Sequence, residues 1–259
     1  MGSADPNFLD DEVRSGVRFR EFTIEAEGRR PVTGVLSQNP ASEPGAPLVC
    51  FGHGASGDRF QQPIPWLVRR LVGDRGFVGL SIDGPVHGRR QVGDGGRDAF
   101  WPEWRRESTV EDMLADWKAA LDFVQVDPSV GTGPVGYWGL SMGTIYGAPF
   151  VAADDRIVVA VLGLMGITGP DHYRPTIADA AANVDVPVLF LMQLEDELFS
   201  REEYLALFDA LATTDKRLHA NAGLHPAVPV EELHNSVDFL VAGLTDGRAD
   251  RAAAFSVSS

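Results

Sequence analysis

The sequence predicts an α/β protein: a mostly parallel sheet of about eight strands with helices on both faces. Short continuous apolar runs, of the kind that forms strands buried on both faces, recur at 47–51, 77–82, 135–138, 157–164 and 186–192. Segments with helical apolar spacing stand between them, and strands that alternate with helices in this way return to the sheet as parallel neighbours. The 259 residues can bury one large core, so a single domain is expected over 17–244. Tails are expected at 1–16 and 245–259.

The elements follow in order. Residues 17–25 alternate apolar and polar side chains, and 32–36 follows after Gly28-Arg29-Arg30-Pro31, which predicts an antiparallel pair at a sheet edge. The strand at 47–51 ends in Gly52-His53-Gly54-Ala55-Ser56-Gly57. A helix is expected over 62–73, from the spacing of Ile64, Leu67, Leu71 and Val72, and the strand at 77–82 is closed by Asp83-Gly84-Pro85. The segment 86–108 shows no clear period and is read as an ordered excursion outside the core. Thr109 is a good N-cap, Glu111 and Asp112 suit the positive end of a helix, and Met113, Trp117, Leu121 and Val124 share a face, so a helix is expected over 109–124. After the strands at 135–138 and 157–164, about twenty residues (165–185) leave room for a helix near 177–182 but not for a large cap domain. The strand at 186–192, a helix at 202–211, a short strand at 217–220 and a helix at 230–244 complete the chain.

Composition narrows the function. With 22 basic against 37 acidic side chains the formal charge is −15, a field that repels phosphate backbones and anionic lipid surfaces. Nucleic acid and membrane partners are therefore not expected, and a small-molecule partner is. No apolar run is long enough to span a bilayer. The N-terminus lacks the basic and apolar regions of a secretory signal, and the single cysteine, Cys50, forbids an intramolecular disulfide; a cytoplasmic setting is the expectation.

The chemistry concentrates at Gly139-Leu140-Ser141-Met142-Gly143, between a predicted strand and a predicted helix. A serine on so sharp a turn is held out on a strained corner, and the flanking glycines remove side chains that would clash there. The same letters also fit a plain glycine-rich turn, so the test is whether a base and an acid follow. A serine hydroxyl needs a base to take its proton, and the base needs a carboxylate to fix its tautomer. His225, in a glycine-containing loop after the last strand, is the candidate base; His219 lies within that strand and His234 inside the final helix. Asp196, after the strand ending at Met192, is the candidate acid, with Glu195, Glu197 and Asp171 as rivals. The amides of Met142 and Ala55 are the candidate oxyanion donors, at a helix start and in the loop after residue 51.

Taken together, Ser141, Asp196 and His225 in that order, behind His53-Gly54-Ala55, resemble the α/β-hydrolase family over most of the chain. The resemblance implies the α/β-hydrolase fold and a serine hydrolase with a Ser-His-Asp triad, cleaving a carboxylic ester, with no metal or organic cofactor. The compact form looks like the dienelactone hydrolase-like esterases. Dienelactone hydrolases proper use a cysteine nucleophile, and here Ser141 stands at that position, which points to ordinary esters. Gln193 is another departure, standing where relatives often carry glycine. Amide or thioester hydrolysis, and a non-catalytic ligand-binding relative, are the alternative functions.

Two readings attach to the segment after Asp83. His87 and Asp83 brace the loop, or His87, Trp101 and Trp104 line the substrate pocket. Likewise Arg89 and Arg90, with Arg105 and Arg106, bind a substrate carboxylate or form surface ion pairs.

Overall fold

A computed structural model of the chain describes residues 8–26 and 28–245. Among these residues nine strands form one sheet, in the order β1-β2-β3-β5-β4-β6-β7-β8-β9. The strands β1 (Phe8–Arg14), β2 (Val17–Ile24) and β3 (Val32–Gln38) run antiparallel to their neighbours. From β5 (Val78–Ile82) the sheet continues in parallel through β4 (Leu48–Gly52), β6 (Val135–Gly139), β7 (Ile157–Gly163), β8 (Val188–Gln193) and β9 (Lys216–Asn221).

The strand β1 corrects the expected tail at 1–16 from residue 8 onward and brings the sheet to nine strands. Its sequence, FLDDEVR, is almost wholly exposed and has no alternation to reveal it. Pairing comes from the turn: Ser15 and Gly16 both have positive φ, 50° and 80°, as a tight two-residue hairpin requires. Acidic side chains on this edge discourage further strand addition. Residues 1–7 lie outside the described residues, as does the expected tail beyond Thr245.

Helices cover both faces. The helices α3 (Thr109–Gln125), α4 (Met142–Ala153), α5 (Tyr173–Ala181) and α6 (Arg201–Ala210) pack in succession on one face. The other face carries α1 (Ile64–Val68), a π-helical turn (Arg69–Gly73) that continues it, and α7 (Val230–Thr245). Period-two geometry divides the core accordingly: on β6, Tyr137 joins Trp117 and Phe150 on the first face, while Trp138 joins Leu67 and Leu240 on the second. The Trp117 and Phe150 rings stack with centroids 5.4 Å apart.

Two details differ from the sequence reading. Ser108, not Thr109, is at the N-cap of α3, with no side-chain cap bond. The Thr109 hydroxyl, fully buried, is instead committed to the Glu103 carboxylate at 3.1 Å and lies 3.0 Å from the Tyr146 hydroxyl. The segment 86–108 is ordered as expected but is not outside the core: it contains α2 (Gly96–Trp104), and Phe100 and Trp104 are buried in the first-face core. The period is hidden because α2 is nine residues long, starts after three glycines with positive φ and contains Pro102.

The topology sets the site. From β4 the chain moves outward to β5 and then crosses back to β6 on the other side of β4. Ligand sites in open parallel sheets form at the carboxyl ends of strands where the order reverses in this way. The carboxyl ends of β4 and β6 are therefore neighbours, Gly52 pairing with Gly139.

Candidate active site

Ser141 sits on the corner between β6 and α4 with φ 58° and ψ −120°, a strained conformation for a residue other than glycine. Several contacts hold the corner. The Ser141 amide donates to the Gly163 carbonyl at 3.0 Å, and the Thr144 hydroxyl accepts the Gly163 amide at 2.9 Å, tying the turn to β7. The Tyr137 hydroxyl donates to the Gly143 carbonyl at 2.6 Å. The glycines are sterically required: a Cβ on Gly143 would stand 2.5 Å from the Gly52 carbonyl oxygen, and one on Gly139 would stand 2.8 Å from that of Gly143.

From this corner a chain of hydrogen bonds runs to a buried carboxylate. The Ser141 Oγ lies 2.9 Å from His225 Nε2, and His225 Nδ1 lies 2.7 Å from Asp196 Oδ2. A carboxylate accepts, so the proton sits on Nδ1 and Nε2 is left to accept from the serine. The Asp196 side chain is fully buried and takes four donors: His225, the Tyr204 hydroxyl, and the amides of Leu198 (2.7 Å) and Phe199 (3.1 Å). Burial alone would raise the Asp196 carboxyl, but the bonds from His225, Tyr204 and the Leu198 amide outweigh it and hold it below the ordinary value. Burial and the Asp196 carboxylate push the Tyr204 phenol up, which keeps it a donor.

The rivals to Asp196 are occupied elsewhere. Glu195 accepts the Gly223 amide, and Glu197 accepts the His225 amide at 2.9 Å, so both carboxylates hold the base loop. Asp171 is exposed and pairs with Arg174. His219 bonds Glu232 at 2.8 Å, and His234 is exposed on α7. Gln193 is buried and donates to the Ala227 carbonyl at 2.6 Å, which joins the end of β8 to the loop carrying His225.

The opposite wall is the loop after β4. His53 Nε2 accepts the Gly84 amide at 2.8 Å, which places its proton on Nδ1, and Nδ1 donates to the Gly54 carbonyl at 2.8 Å. His87 donates from Nε2 to the Ala55 carbonyl at 3.0 Å. Gln61 accepts the Gly54 amide at 2.8 Å. Among the described residues neither the Ala55 nor the Met142 amide donates a hydrogen bond within the protein. Burial, with the nearby His87, pushes His53 down to about 4, and burial likewise lowers His87, so both imidazoles are neutral at pH 7.

Between these walls lies a cavity of about 290 Å³ that reaches Ser141 and His225. Its apolar lining comes from both cores: Phe100, Trp101 and Phe199 on one side, Trp138, Leu140 and Leu164 on the other. Of the expected pocket residues only Trp101 is on this wall. Trp104 lies behind it, 5.7 Å from the Phe100 ring and packed against Tyr173. His87 is a brace and not a wall residue, because its Nε2 is held by the Ala55 carbonyl and the ring is buried. Arg89 pairs with Glu21 at 2.7 Å, and the buried Arg90 pairs with Asp116 at 2.7 Å, so both leave the pocket for ion pairs. Sequence reasoning missed Tyr204, Gln61 and Arg97. Tyr204 carried the signal of a core residue, and the other two carried none beyond their nearness to a singled-out motif.

No family model and no curated protein sequence matches the chain. Among solved structures it is similar to a cold-adapted esterase from an Arctic intertidal metagenomic library, with 39% identity, a TM-score of 0.83, and coverage of 92% of this chain and 100% of that one. The chain belongs to the α/β-hydrolase family of esterases. The fold is shared more widely, with an acetyl xylan esterase from a Paenibacillus species (19% identity, TM-score 0.70, covering 92% of this chain and 88% of that one). An esterase from Pyrococcus furiosus has it too (15% identity, TM-score 0.68, covering 92% of this chain and 99% of that one). The esterase described here is thus a hydrolase acting on ester bonds, with the mostly parallel sheet and two helical layers of its family.

Proposed function

We propose that this esterase cleaves small carboxylic esters through an acyl-enzyme on Ser141. His225 accepts the Ser141 proton as the hydroxyl attacks the ester carbonyl, and Asp196 holds the imidazole in the productive tautomer and stabilises its cation. The amides of Ala55 and Met142 take the charge that develops on the carbonyl oxygen, where preorganised donors are worth most. The protonated His225 then gives its proton to the departing alcohol. Water, activated by the same base, attacks the acyl-enzyme and frees the acid.

The observation that carries this reading is the unbroken hydrogen-bond chain from Ser141 through His225 to the buried Asp196, at the floor of an apolar cavity. A volume of about 290 Å³ sits at the low end of small-molecule sites and supports short acyl and alcohol groups. The net charge of −15 supports a small-molecule partner over nucleic acid, and no helix among the described residues is long and apolar enough to cross a membrane. We infer a cytoplasmic setting from the one buried, free Cys50.

Labelling with a fluorophosphonate and turnover of a short-chain aryl ester test the reading. Ser141→Ala is expected to abolish labelling and to lower kcat by up to about 10⁶-fold while leaving the circular dichroism spectrum unchanged. Retained turnover in that variant refutes the assignment.

A further inference from the structure

The cavity carries a charge pattern that runs against the composition of the chain. The protein has 37 acidic side chains against 22 basic ones, yet among the described residues no carboxylate lines the cavity and the one cationic side chain is Arg97, on α2. The segment 86–108 contains four other arginines, and each is engaged. Arg89 pairs with Glu21, Arg90 with Asp116, and Arg106 with Glu103 and Asp112, while Arg105 donates to the Trp101 carbonyl. Arg97 is exposed and has no hydrogen bond, ion pair or ring contact among the described residues.

The helix also sorts its charges. Asp94, Asp98 and Glu103 line a separate cleft of about 420 Å³ on the other flank of α2, together with Arg30 and Arg106. The acids nearest to Arg97 in sequence therefore face away from the catalytic cavity. In a chain with an excess of 15 negative charges, one guanidinium is left unneutralised beside Phe100 and Trp101, on a wall that carries no acid.

We propose that Arg97 is a specificity residue that selects esters bearing a second, ionised carboxylate, on the arm seated against Phe100 and Trp101. A guanidinium presents a planar fork that matches a carboxylate in two parallel hydrogen bonds, and an aromatic wall beside it lowers the local dielectric. The reaction is unchanged: the ester is cleaved to acid and alcohol, and the second carboxylate is a handle that takes no part in bond making. The proposal rests on the reading of this cavity as the ester site.

Two matched pairs test it, each replacing a carboxylate by its neutral primary amide of nearly the same shape. Ethyl hydrogen succinate is compared with ethyl succinamate for the acyl arm, and 4-carboxyphenyl acetate with 4-carbamoylphenyl acetate for the alcohol arm. The quantity read is the ratio of kcat/KM within each pair. In the unmodified enzyme the carboxylate member of one pair is expected to be preferred by about tenfold, the preference shrinking as salt is raised. Arg97→Gln should bring that ratio near one, Arg97→Lys should leave it in between, and Arg97→Glu should invert it. Ratios that are the same in the unmodified enzyme and in Arg97→Glu overturn the proposal. Turnover of the neutral amides by the unmodified enzyme shows separately that the ester site is intact; no turnover of any of the four esters refutes the catalytic reading itself.

Discussion

The two walls of the site are held by opposite electrostatics. On the side of β8 and β9 the fasteners are carboxylates: Asp196 gathers four donors, while Glu195 and Glu197 each accept a backbone amide of the loop that carries His225. On the side of β4 and β5 they are neutral imidazoles: His53 bridges Gly84 and Gly54, and His87 holds Ala55. The first arrangement fixes a buried carboxylate against His225 Nδ1. The second fixes peptide planes, and it does so with imidazoles that burial keeps uncharged to lower pH than an exposed ring. In the proposed mechanism one wall serves the proton transfer and the other the oxyanion, so the two should fail in different ways.

The largest expected effect is on the carboxylate wall. Asp196→Asn keeps the shape but presents an amide to His225 Nδ1, favours the wrong tautomer, and is expected to lower kcat by about 10⁴-fold with little change in KM. Steady-state kinetics on a short-chain aryl ester check this, and a loss of less than tenfold would show that Asp196 does not orient the base.

A smaller effect is expected on the imidazole wall. His87→Leu removes the donor to the Ala55 carbonyl without touching the reacting atoms, so kcat should fall by about tenfold while KM holds, as for other supports behind a reacting group. Labelling of Ser141 by a fluorophosphonate should slow in parallel. An unchanged kcat would mean that the loop holds its shape without this brace.

A third effect, on stability and not on rate, concerns pH. His53 takes a proton near 6.5 when unfolded but only at about 4 when folded, because of its burial and its neighbour His87. Between those values the unfolded chain binds a proton that the folded one refuses. The contribution is therefore fully present above pH 6.5 and is lost as pH falls through about 4, a decline on the order of 3 kcal/mol. Below about pH 4 the protonated ring also can no longer accept the Gly84 amide. Denaturant unfolding of the parent and of His53→Asn between pH 7 and 4 reads the difference in slope. The neighbouring His87 and Asp83 remain in both, so equal slopes would remove His53 from the account.

Much of this was legible before any coordinates. Ser141, Asp196 and His225 each follow an apolar strand, and a reader who knows that sites form at the carboxyl ends of parallel strands can place them in one region. The supports were not legible. Tyr204 lies inside an amphipathic helix, where a tyrosine reads as core, and only the approach of α6 to the loop after β8 turns its hydroxyl towards Asp196. The same limit applied to β1, whose exposed acidic residues leave no pattern, and to α2, whose short span, glycines and Pro102 hide the period that buries Phe100 and Trp104.

By itself the sequence determined the class of fold, the succession of strands and helices apart from β1 and α2, and which serine, histidine and aspartate follow strands of the sheet. These follow from local rules: apolar period, turn chemistry, and the need of a hydroxyl for a base and of a base for a carboxylate. Tertiary structure decided which of five arginines in the segment 86–108 faces the cavity, and that His87 braces the Ala55 carbonyl while Trp101 forms the wall. Spacing along the chain cannot rank those side chains, because each is assigned by what stands opposite it across the fold. Arg89, Arg90 and Arg106 met carboxylates there, and Arg97 met an open cavity.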